Sequence, residues 1–336
     1  MAGLPTGFLL SRLPRKTVLV LGIAIFSVST AAMVLARGFI SMLVLLGSTG
    51  VGEAMQLTVI IAIAASYFAA HRATAIGAAN FCFGMGAFFG PVLASTWLGH
   101  YETWKAPMMI FGLLGFVAIA AIVVCVRPWL SEARLVTQHH SDTEGAASLF
   151  NSNTFVLTSL SIIGGFVLYG FTGMYPTFLR ESLHYSPKSA AVVAGMYGAG
   201  ALVSIAGGWI GDRISPRSLL SVAFLLISLL GYLCFRPGGS FILHVFLTFA
   251  FGAIGSGTVY VNLAGYHVKA VRRSLSGRAS GMFVSSFYSA GAMAGFLMGK
   301  IAGHAGWSSA GLFQISVFSL LGAAIALALK PSKMCL

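Results

Sequence analysis

One carboxyl group in this sequence lies where a charge is costly. Glu53 is the only acidic residue deep inside a long apolar run, which extends from Ser41 to Ala65. A charge at that depth in hydrocarbon costs roughly 2.5–3.5 kcal/mol, so such residues normally face a bundle interior or an aqueous cavity. Because burial disfavours the charged form, this carboxyl is suited to gaining and losing a proton. Glu53 is therefore our candidate for proton-coupled chemistry, and the alternative is a hydrogen-bonded carboxyl that holds helices together.

Other polar side chains occur in apolar runs at helical spacings. Gln56 follows Glu53 by three residues, so it shares a face with Glu53 and either binds a solute or satisfies that carboxyl. Tyr169 and Thr172 belong to one polar-aromatic stripe, which we expect to contact a solute, and Asn262 is a further candidate. Tyr175, beside Pro176, is better explained by membrane anchoring, and Asn80 by a hydrogen bond between helices. Tyr266 shares a helix face with Asn262, which is the better candidate of the two.

The composition requires a membrane around these residues. Hydrophobic residues make up 57% of the 336, charged residues 8%, and the mean hydropathy is +0.91. An ordinary soluble domain carries about 25% charged residues, so these charges are too few to cover a water-soluble protein of this size. The net charge of +13 lies in short loops between apolar runs and forms no continuous basic stripe, which excludes nucleic acid as a partner.

Ten apolar runs are long enough to cross the bilayer as helices, and none alternates as a barrel strand would. With the Gly208–Arg217 turn placed in the cytoplasm, 14 of the Lys and Arg residues fall on that side and 6 on the other. The predicted spans are Thr17–Ala36, Ser41–Ala65, Ala73–Leu98, Met108–Val126, Thr154–Leu179, Ala190–Ile210, Leu219–Phe235, Phe241–Gly265, Ala279–Gly303 and Ala310–Leu329.

Several function classes lack their motifs in this sequence. The His139-His140 pair has no further ligands nearby, and the four cysteines have neither metal-like nor disulfide-like spacing, so we expect no metal. Phosphate-binding loops, a nucleophile with a paired base and a ring of filter residues are also missing. We therefore expect no cofactor and no enzymatic activity, and both an ATP-driven pump and a channel are disfavoured.

A short basic turn occurs twice. The second copy contains Gly208, Asp212, Arg213 and Arg217, and the first contains Gly7, Arg12, Arg15 and Lys16, with Ser11 at the position of the aspartate. Gly86 and Gly90 also match Gly291 and Gly295 at a constant offset of 205 residues. An internal repeat of membrane helices is typical of secondary transporters.

These motifs resemble the major facilitator superfamily along essentially the whole chain. The family's loop signature fits the second turn with Ser215 in place of the inner glycine, and fits the first with Ser11 and Pro14 as departures. Its fifth-helix signature fits the glycines and the proline Gly77, Gly86, Gly90 and Pro91. The stretch from Gly50 to Ala54 resembles organic-anion relatives, but Leu46 stands where those relatives have an arginine.

The resemblance implies an all-α membrane fold with twelve spans in two six-helix halves, of which about ten spans are present here. The expected division is an N-terminal half at 1–128, a cytoplasmic linker at 129–153, a C-terminal half at 154–330 and a tail at 331–336. Asn151 to Gly208 is 57 residues, whereas Met1 to Gly7 is 6. The comparison predicts that the family's first two helices, roughly fifty residues, are missing from the first half.

The resemblance also implies a function. We expect a multi-pass inner-membrane transporter that works as a monomer by alternating access, with a small polar solute as substrate and an organic acid or sugar acid favoured. Glu53 would bind protons, and the two basic turns would gate the cytoplasmic side. Symport, antiport and uniport stay open, and the alternative is a non-transporting remnant or a membrane sensor on the same scaffold.

Overall fold

The computed structural model describes residues 2–68, 70–132 and 145–334, without the side chains of residues 91, 92 and 95. In these residues nine helices are long and apolar enough to cross a membrane, and one bent pair makes ten. The all-α membrane fold with about ten spans is therefore confirmed. The described ranges contain no strand, only an isolated bridge between Ala146 and Val271.

The helices fall into two groups along the chain. The N-terminal group comprises α1 (Gly3–Leu9), α2 (Arg15–Ala32), α3 (Phe39–Tyr67), α4 (Arg72–Tyr101), α5 (Lys105–Cys125) and the short α6 (Pro128–Ser131). The C-terminal group comprises α7 (Ser152–Glu181), α8 (Pro187–Ala201), α9 (Ser204–Gly211), α10 (Pro216–Cys234), α11 (Phe241–Ile254), α12 (Val261–Lys269), α13 (Ser276–Ala305), α14 (Trp307–Ala310) and α15 (Phe318–Ala326).

Three spans are interrupted, and the interruptions lie in the C-terminal group. Helices α8 and α9 form one span with a bend of 41° between Ala201 and Ser204. A π-helical segment, Gly255–Tyr260, joins α11 to α12, and a second, Gly311–Val317, joins α14 to α15. Such segments are uncommon and frequently lie at functional sites, because the extra residue per turn changes the direction of the side chains.

The two groups meet along helices that carry small residues. Gly3 and Gly7 of α1 lie against Gly281 and Gly277 of α13, and Gly208 of α9 lies against Ala73 of α4. All of these contacts are close to the loops that hold Arg12–Lys16, Arg213–Arg217 and Arg272–Arg278, which we call the basic end. Farther from the basic end, Cβ positions at Gly90 and Gly99 of α4 and at Gly195 of α8 meet no atom within 4 Å.

The fifth-helix glycines have unequal surroundings, which gives a stability prediction. A Cβ at Gly77 would collide with the backbone carbonyl of Ser204, whereas a Cβ at Gly86 meets no atom within 4 Å. We expect Gly77→Ala to destabilise the purified protein by about 1–3 kcal/mol through overpacking. Gly86→Ala should leave the melting temperature unchanged or raise it, because alanine favours helices over glycine. Equal melting temperatures for the two variants in detergent would contradict this packing.

Candidate functional site

A cavity of about 770 Å³ lies between the two groups of helices. Helices α2, α3 and α4 contribute to one wall, and α7, α8, the segment Gly255–Tyr260 and α13 contribute to the other. Four of the sequence candidates line it together: Glu53, Gln56, Tyr169 and Thr172. Glu53 and Gln56 are three residues apart on α3, and Tyr169 and Thr172 are three apart on α7. Residues at this spacing share one helix face, so each pair faces the cavity together.

Glu53 is the one charged side chain among the described residues that line the cavity. It is partly buried, and the described chain offers its carboxylate no hydrogen-bond or ion-pair partner. Neighbouring Gly52 packs closely against Phe26 of α2, which holds this part of α3 against the bundle. Gln56 donates from Nε2 to the Gly22 carbonyl oxygen at 3.3 Å and so leaves its own carbonyl oxygen for a ligand. A carboxyl without a protein partner is accessible to a proton or to a solute.

Aromatic side chains form much of the cavity wall. The Tyr260 and Tyr288 hydroxyls lie 3.3 Å apart, and the Tyr169 ring lies 5.6 Å from the Tyr288 ring, between centroids. Phe171 stacks on Phe251 with ring centroids 3.8 Å apart, which fixes the wall from behind. Nine of the described lining residues are aromatic: Phe26, Phe83, Tyr169, Phe171, Tyr175, Tyr197, Tyr260, Phe287 and Tyr288.

The structure places two other residues differently from the sequence expectation. Asn262 is fully buried away from the cavity lining, and its Nδ2 donates to the carbonyl oxygens of Gly207 and Thr258 at 3.0 and 2.8 Å. It fastens α12 to α9 because Gly211 leaves room for the amide, so it does not contact a solute in this conformation. Tyr175, expected as a membrane anchor, is instead buried and lines the cavity, with its hydroxyl 2.7 Å from His244 Nδ1.

Several cavity residues were missed from the sequence. Tyr260 and Ser256 come from the π-helical segment, and Tyr288 and Phe287 come from the middle of α13. Tyrosine in an apolar run is also frequent in ordinary packing, so composition alone did not single them out. The Gly255-Ser256-Gly257 sequence before Tyr260 is a signal that was available, because two glycines in an apolar helix weaken its regular turn.

The second basic turn forms a polar lock at the basic end. Both Asp212 carboxylate oxygens accept hydrogen bonds from α4, at 3.1 Å from the Ala73 amide and 2.9 Å from the Thr74 amide. The Thr74 hydroxyl donates at 2.7 Å, and Lys269 at the end of α12 donates at 2.9 Å. Burial alone would raise the pKa of Asp212, but the hydrogen bonds from Thr74 and Lys269 and the positive charge of Lys269 lower it overall.

Arg213 and Arg217 of the same turn are exposed and do not take part in the lock. Arg213 stacks over the Trp209 ring, with its guanidinium carbon 3.6 Å from the ring centroid. Such a cation–π contact stabilises the charge at the membrane edge.

The first basic turn has a different chemistry. Ser11 Oγ donates to the Phe8 carbonyl oxygen within its own turn at 2.6 Å, and Arg12 is exposed. Lys16 Nζ instead donates to the Val123 and Val126 carbonyl oxygens at 2.9 and 2.7 Å, at the C-terminal end of α5. Arg15 donates to the Ala62 carbonyl oxygen of α3 at 3.4 Å. These bases hold the N-terminal helices together, and the aspartate-based lock exists only in the second turn.

No group of three metal-ligating side chains comes together in the ranges 2–68, 70–132 and 145–334. The His139-His140 pair lies outside the described residues.

Comparison with known proteins places this architecture in a family. The model of the Major Facilitator Superfamily matches residues 1–296. A gallate transporter of Pseudomonas putida is 26% identical over 367 aligned positions, which cover 96% of this chain and 78% of that protein. The human organic anion transporter MFSD10 (TETRAN) shares the fold with a TM-score of 0.75, at 16% identity over 97% of this chain and 80% of that one.

The transporter FucP, solved in an outward conformation, is a further structural neighbour. Its TM-score is 0.64 at 15% identity, and the match covers 97% of this chain and 84% of FucP. At these identities the structural likenesses show the fold alone. The family match, the repeated turns and the membrane-spanning helices together show that this multi-pass membrane protein belongs to the major facilitator superfamily.

Proposed function

We propose that this protein is a secondary active transporter of a small organic acid that carries a hydroxylated aromatic ring. The observation that carries the proposal is the cavity, in which nine aromatic residues surround the lone carboxyl of Glu53. Aromatic rings stack on the faces of other aromatic rings, and tyrosine hydroxyls both donate and accept hydrogen bonds. Two similar proteins support an acidic substrate, since one is named for gallate and the other for organic anions.

The charge of the cavity supports proton coupling. No Lys or Arg is among the described lining residues, so a bound carboxylate gains no ion pair there. Two unit negative charges 6 Å apart repel each other by roughly 3 kcal/mol at an effective dielectric constant of about 20. An anion would therefore bind far better when Glu53 carries a proton, so anion and proton enter together. Through this repulsion the protein would couple uptake of the anion to uptake of a proton, although Leu46 stands where organic-anion relatives have an arginine.

The proposed cycle follows the geometry of the two ends. In the present conformation the two groups of helices pack closely at the basic end, so we infer that the cavity is reached from the side opposite the basic loops. Rocking of one group against the other would break the contacts at the basic end and release the solute there. We place the basic end in the cytoplasm and the protein in the inner membrane, because of the distribution of Lys and Arg. One chain forms the whole cavity, which supports a monomer.

The test is uptake of radiolabelled gallate and gluconate into proteoliposomes with an inward proton gradient. We expect gallate uptake that depends on the gradient and is abolished when an ionophore dissipates it. Gluconate represents sugar acids and should be taken up at least tenfold more slowly, because it has no ring to stack on the tyrosines. Gradient-dependent uptake of gluconate alone would mean that the substrate is a sugar acid and not an aromatic acid. No uptake of either would favour a remnant or sensor.

A further inference from the structure

Asn80 makes hydrogen bonds across the interface between the two groups, inside the bundle. Its Nδ2 donates to Ser204 Oγ at 2.7 Å, and to the Oγ and the carbonyl oxygen of Ser256, each at 3.2 Å. Asn80 belongs to α4 of the N-terminal group, and both serines belong to the C-terminal group. All three side chains are buried. One amide thus joins three helices from opposite sides of the interface.

The two serines occupy the irregular points of their helices. Ser204 begins α9, directly after the bend in the α8–α9 span, and its hydroxyl donates to the Ala201 carbonyl oxygen. Ser256 lies in the π-helical segment Gly255–Tyr260. Bends and π-helical turns absorb conformational change more readily than regular helix does. Asn80 is therefore bonded to the two positions in these spans where the C-terminal group is most easily reshaped.

The same residues border the cavity. Asn80 and Ser256 both line it, together with Tyr260 of the π-helical segment and Cys82 of α4. These hydrogen bonds all use the Asn80 amide nitrogen, Nδ2. A solute hydroxyl or carboxylate oxygen in the cavity that accepts from the same nitrogen would take the place of one of them.

We propose that Asn80 is a positioning residue that holds the basic end closed until the cavity is occupied. When the groups part at the basic end, the bonds from Asn80 to Ser204 and Ser256 break, because they join opposite sides of the interface. A solute oxygen that accepts a hydrogen bond from Asn80 Nδ2 competes with those bonds and lowers the barrier to parting. This inference rests on the proposed transport function, but it concerns the conformational equilibrium, which is measured without transport.

Cys82 supplies a reporter for the test. It is exposed and lines the same cavity as Asn80, so we expect a membrane-impermeant maleimide added on the side opposite the basic end to reach it in the present conformation. Cys125→Ser and Cys335→Ser remove the other two thiols that could react, and Cys234 is buried. The rate of Cys82 labelling in right-side-out vesicles then measures the population that is closed at the basic end.

We expect Asn80→Ala to lower the Cys82 labelling rate about five- to tenfold, because each lost hydrogen bond shifts the equilibrium several-fold. Ser204→Ala should give a smaller decrease in the same direction. Ser256→Ala should give the smallest, since the Ser256 carbonyl oxygen still accepts from Asn80. Asn80→Ala combined with Ser204→Ala should label no more slowly than Asn80→Ala alone, because both changes remove one shared bond.

Ser228→Ala is the matched control for Ser204→Ala, since it also removes a buried hydrogen bond between spans, but one to the Ser316 carbonyl oxygen within the C-terminal group and away from the cavity lining. It should leave labelling within twofold of the parent protein. Equal labelling of the parent and Asn80→Ala, with both proteins monodisperse in detergent, would overturn the proposal, as would an equally large effect of Ser228→Ala. Asn80→Ser, with a shorter donor, replaces the alanine variant if that protein does not fold. Failure of gallate uptake in the parent would overturn the transport function and leave the labelling result standing.

Discussion

Glu53→Gln should make gallate binding independent of pH. In the parent protein, ionisation of Glu53 places a second negative charge in a cavity whose described lining contains no base, so affinity should fall as pH rises. A coupling of up to about 3 kcal/mol corresponds to a loss of up to about 150-fold. Glutamine keeps the shape of the protonated carboxyl and has no charge to gain. We therefore expect tight binding at every pH and a change of less than twofold, measured by tryptophan fluorescence or calorimetry.

The same variant should retain gallate exchange but lose accumulation driven by a proton gradient. Exchange of internal for external gallate needs no net proton movement, so it should continue in Glu53→Gln. Accumulation driven by a proton gradient should be lost, because the site that carries the proton is gone. Glu53→Asp is the matched control, since its carboxyl still titrates and should retain part of the gradient-driven uptake. Unchanged accumulation and unchanged pH dependence in Glu53→Gln would reduce Glu53 to a structural role.

The sequence was sufficient for the fold because its signals are physical requirements of a bilayer. Apolar runs such as Ser41–Ala65 must be helical in hydrocarbon, since every backbone polar group has to be bonded within the segment. The repeated turns and the fifth-helix glycines then pointed to one family. The bend after Ala201 and the π-helical segment Gly255–Tyr260 were not predicted. They depend on packing between helices, as where Gly207 lies against Gly257, which a periodicity analysis of one segment does not contain.

The cavity was only partly predictable for a similar reason. Spacing along a single helix brings Gln56 beside Glu53 and Thr172 beside Tyr169. All four line the cavity, the first two from α3 and the last two from α7. Asn262 had the same kind of sequence context, yet it faces α9, because rotation of a helix about its axis is set by its neighbours. Tyr260 and Tyr288 approach each other from different spans, and that proximity has no trace in a single sequence.

Asp212→Asn should shift the protein away from the conformation that is closed at the basic end. Asp212 and Lys269 form an ion pair 2.9 Å long, with side chains 4% and 5% exposed. Asparagine leaves the Lys269 charge buried without a partner, at a cost of about 3–5 kcal/mol, whereas parting of the groups returns that charge to water. We expect the Cys82 labelling rate to fall on the order of tenfold or more, together with the melting temperature in detergent.

The controls for Asp212→Asn use both turns. Ser11→Ala alters the equivalent position of the first turn, where the exposed hydroxyl bonds only its own turn, so neither labelling nor melting temperature should change measurably. Adding Lys269→Met to Asp212→Asn removes the unpaired charge and should restore most of the lost labelling. Equal effects of Ser11→Ala and Asp212→Asn would mean that the two turns gate alike. No rescue by Lys269→Met would mean that the amide bonds to Ala73 and Thr74, and not the charge pair, close this end.

Acidification should weaken the contacts of the Asp212 carboxylate only at low pH. The folded protein lowers the pKa of Asp212, so the stabilising contribution of its carboxylate is fully present above the ordinary aspartate range, about 3.9. That contribution is lost only as pH falls through the lowered pKa. The rate of Cys82 labelling in solute-free Glu53→Gln, divided at each pH by the rate for the same thiol in the denatured protein, should therefore be constant from pH 5 to pH 8, roughly the range used for uptake. A decrease in this ratio as pH falls within that range would show that protonation of the Asp212 carboxyl opens the basic end, and proton coupling would then involve the gate as well as the cavity.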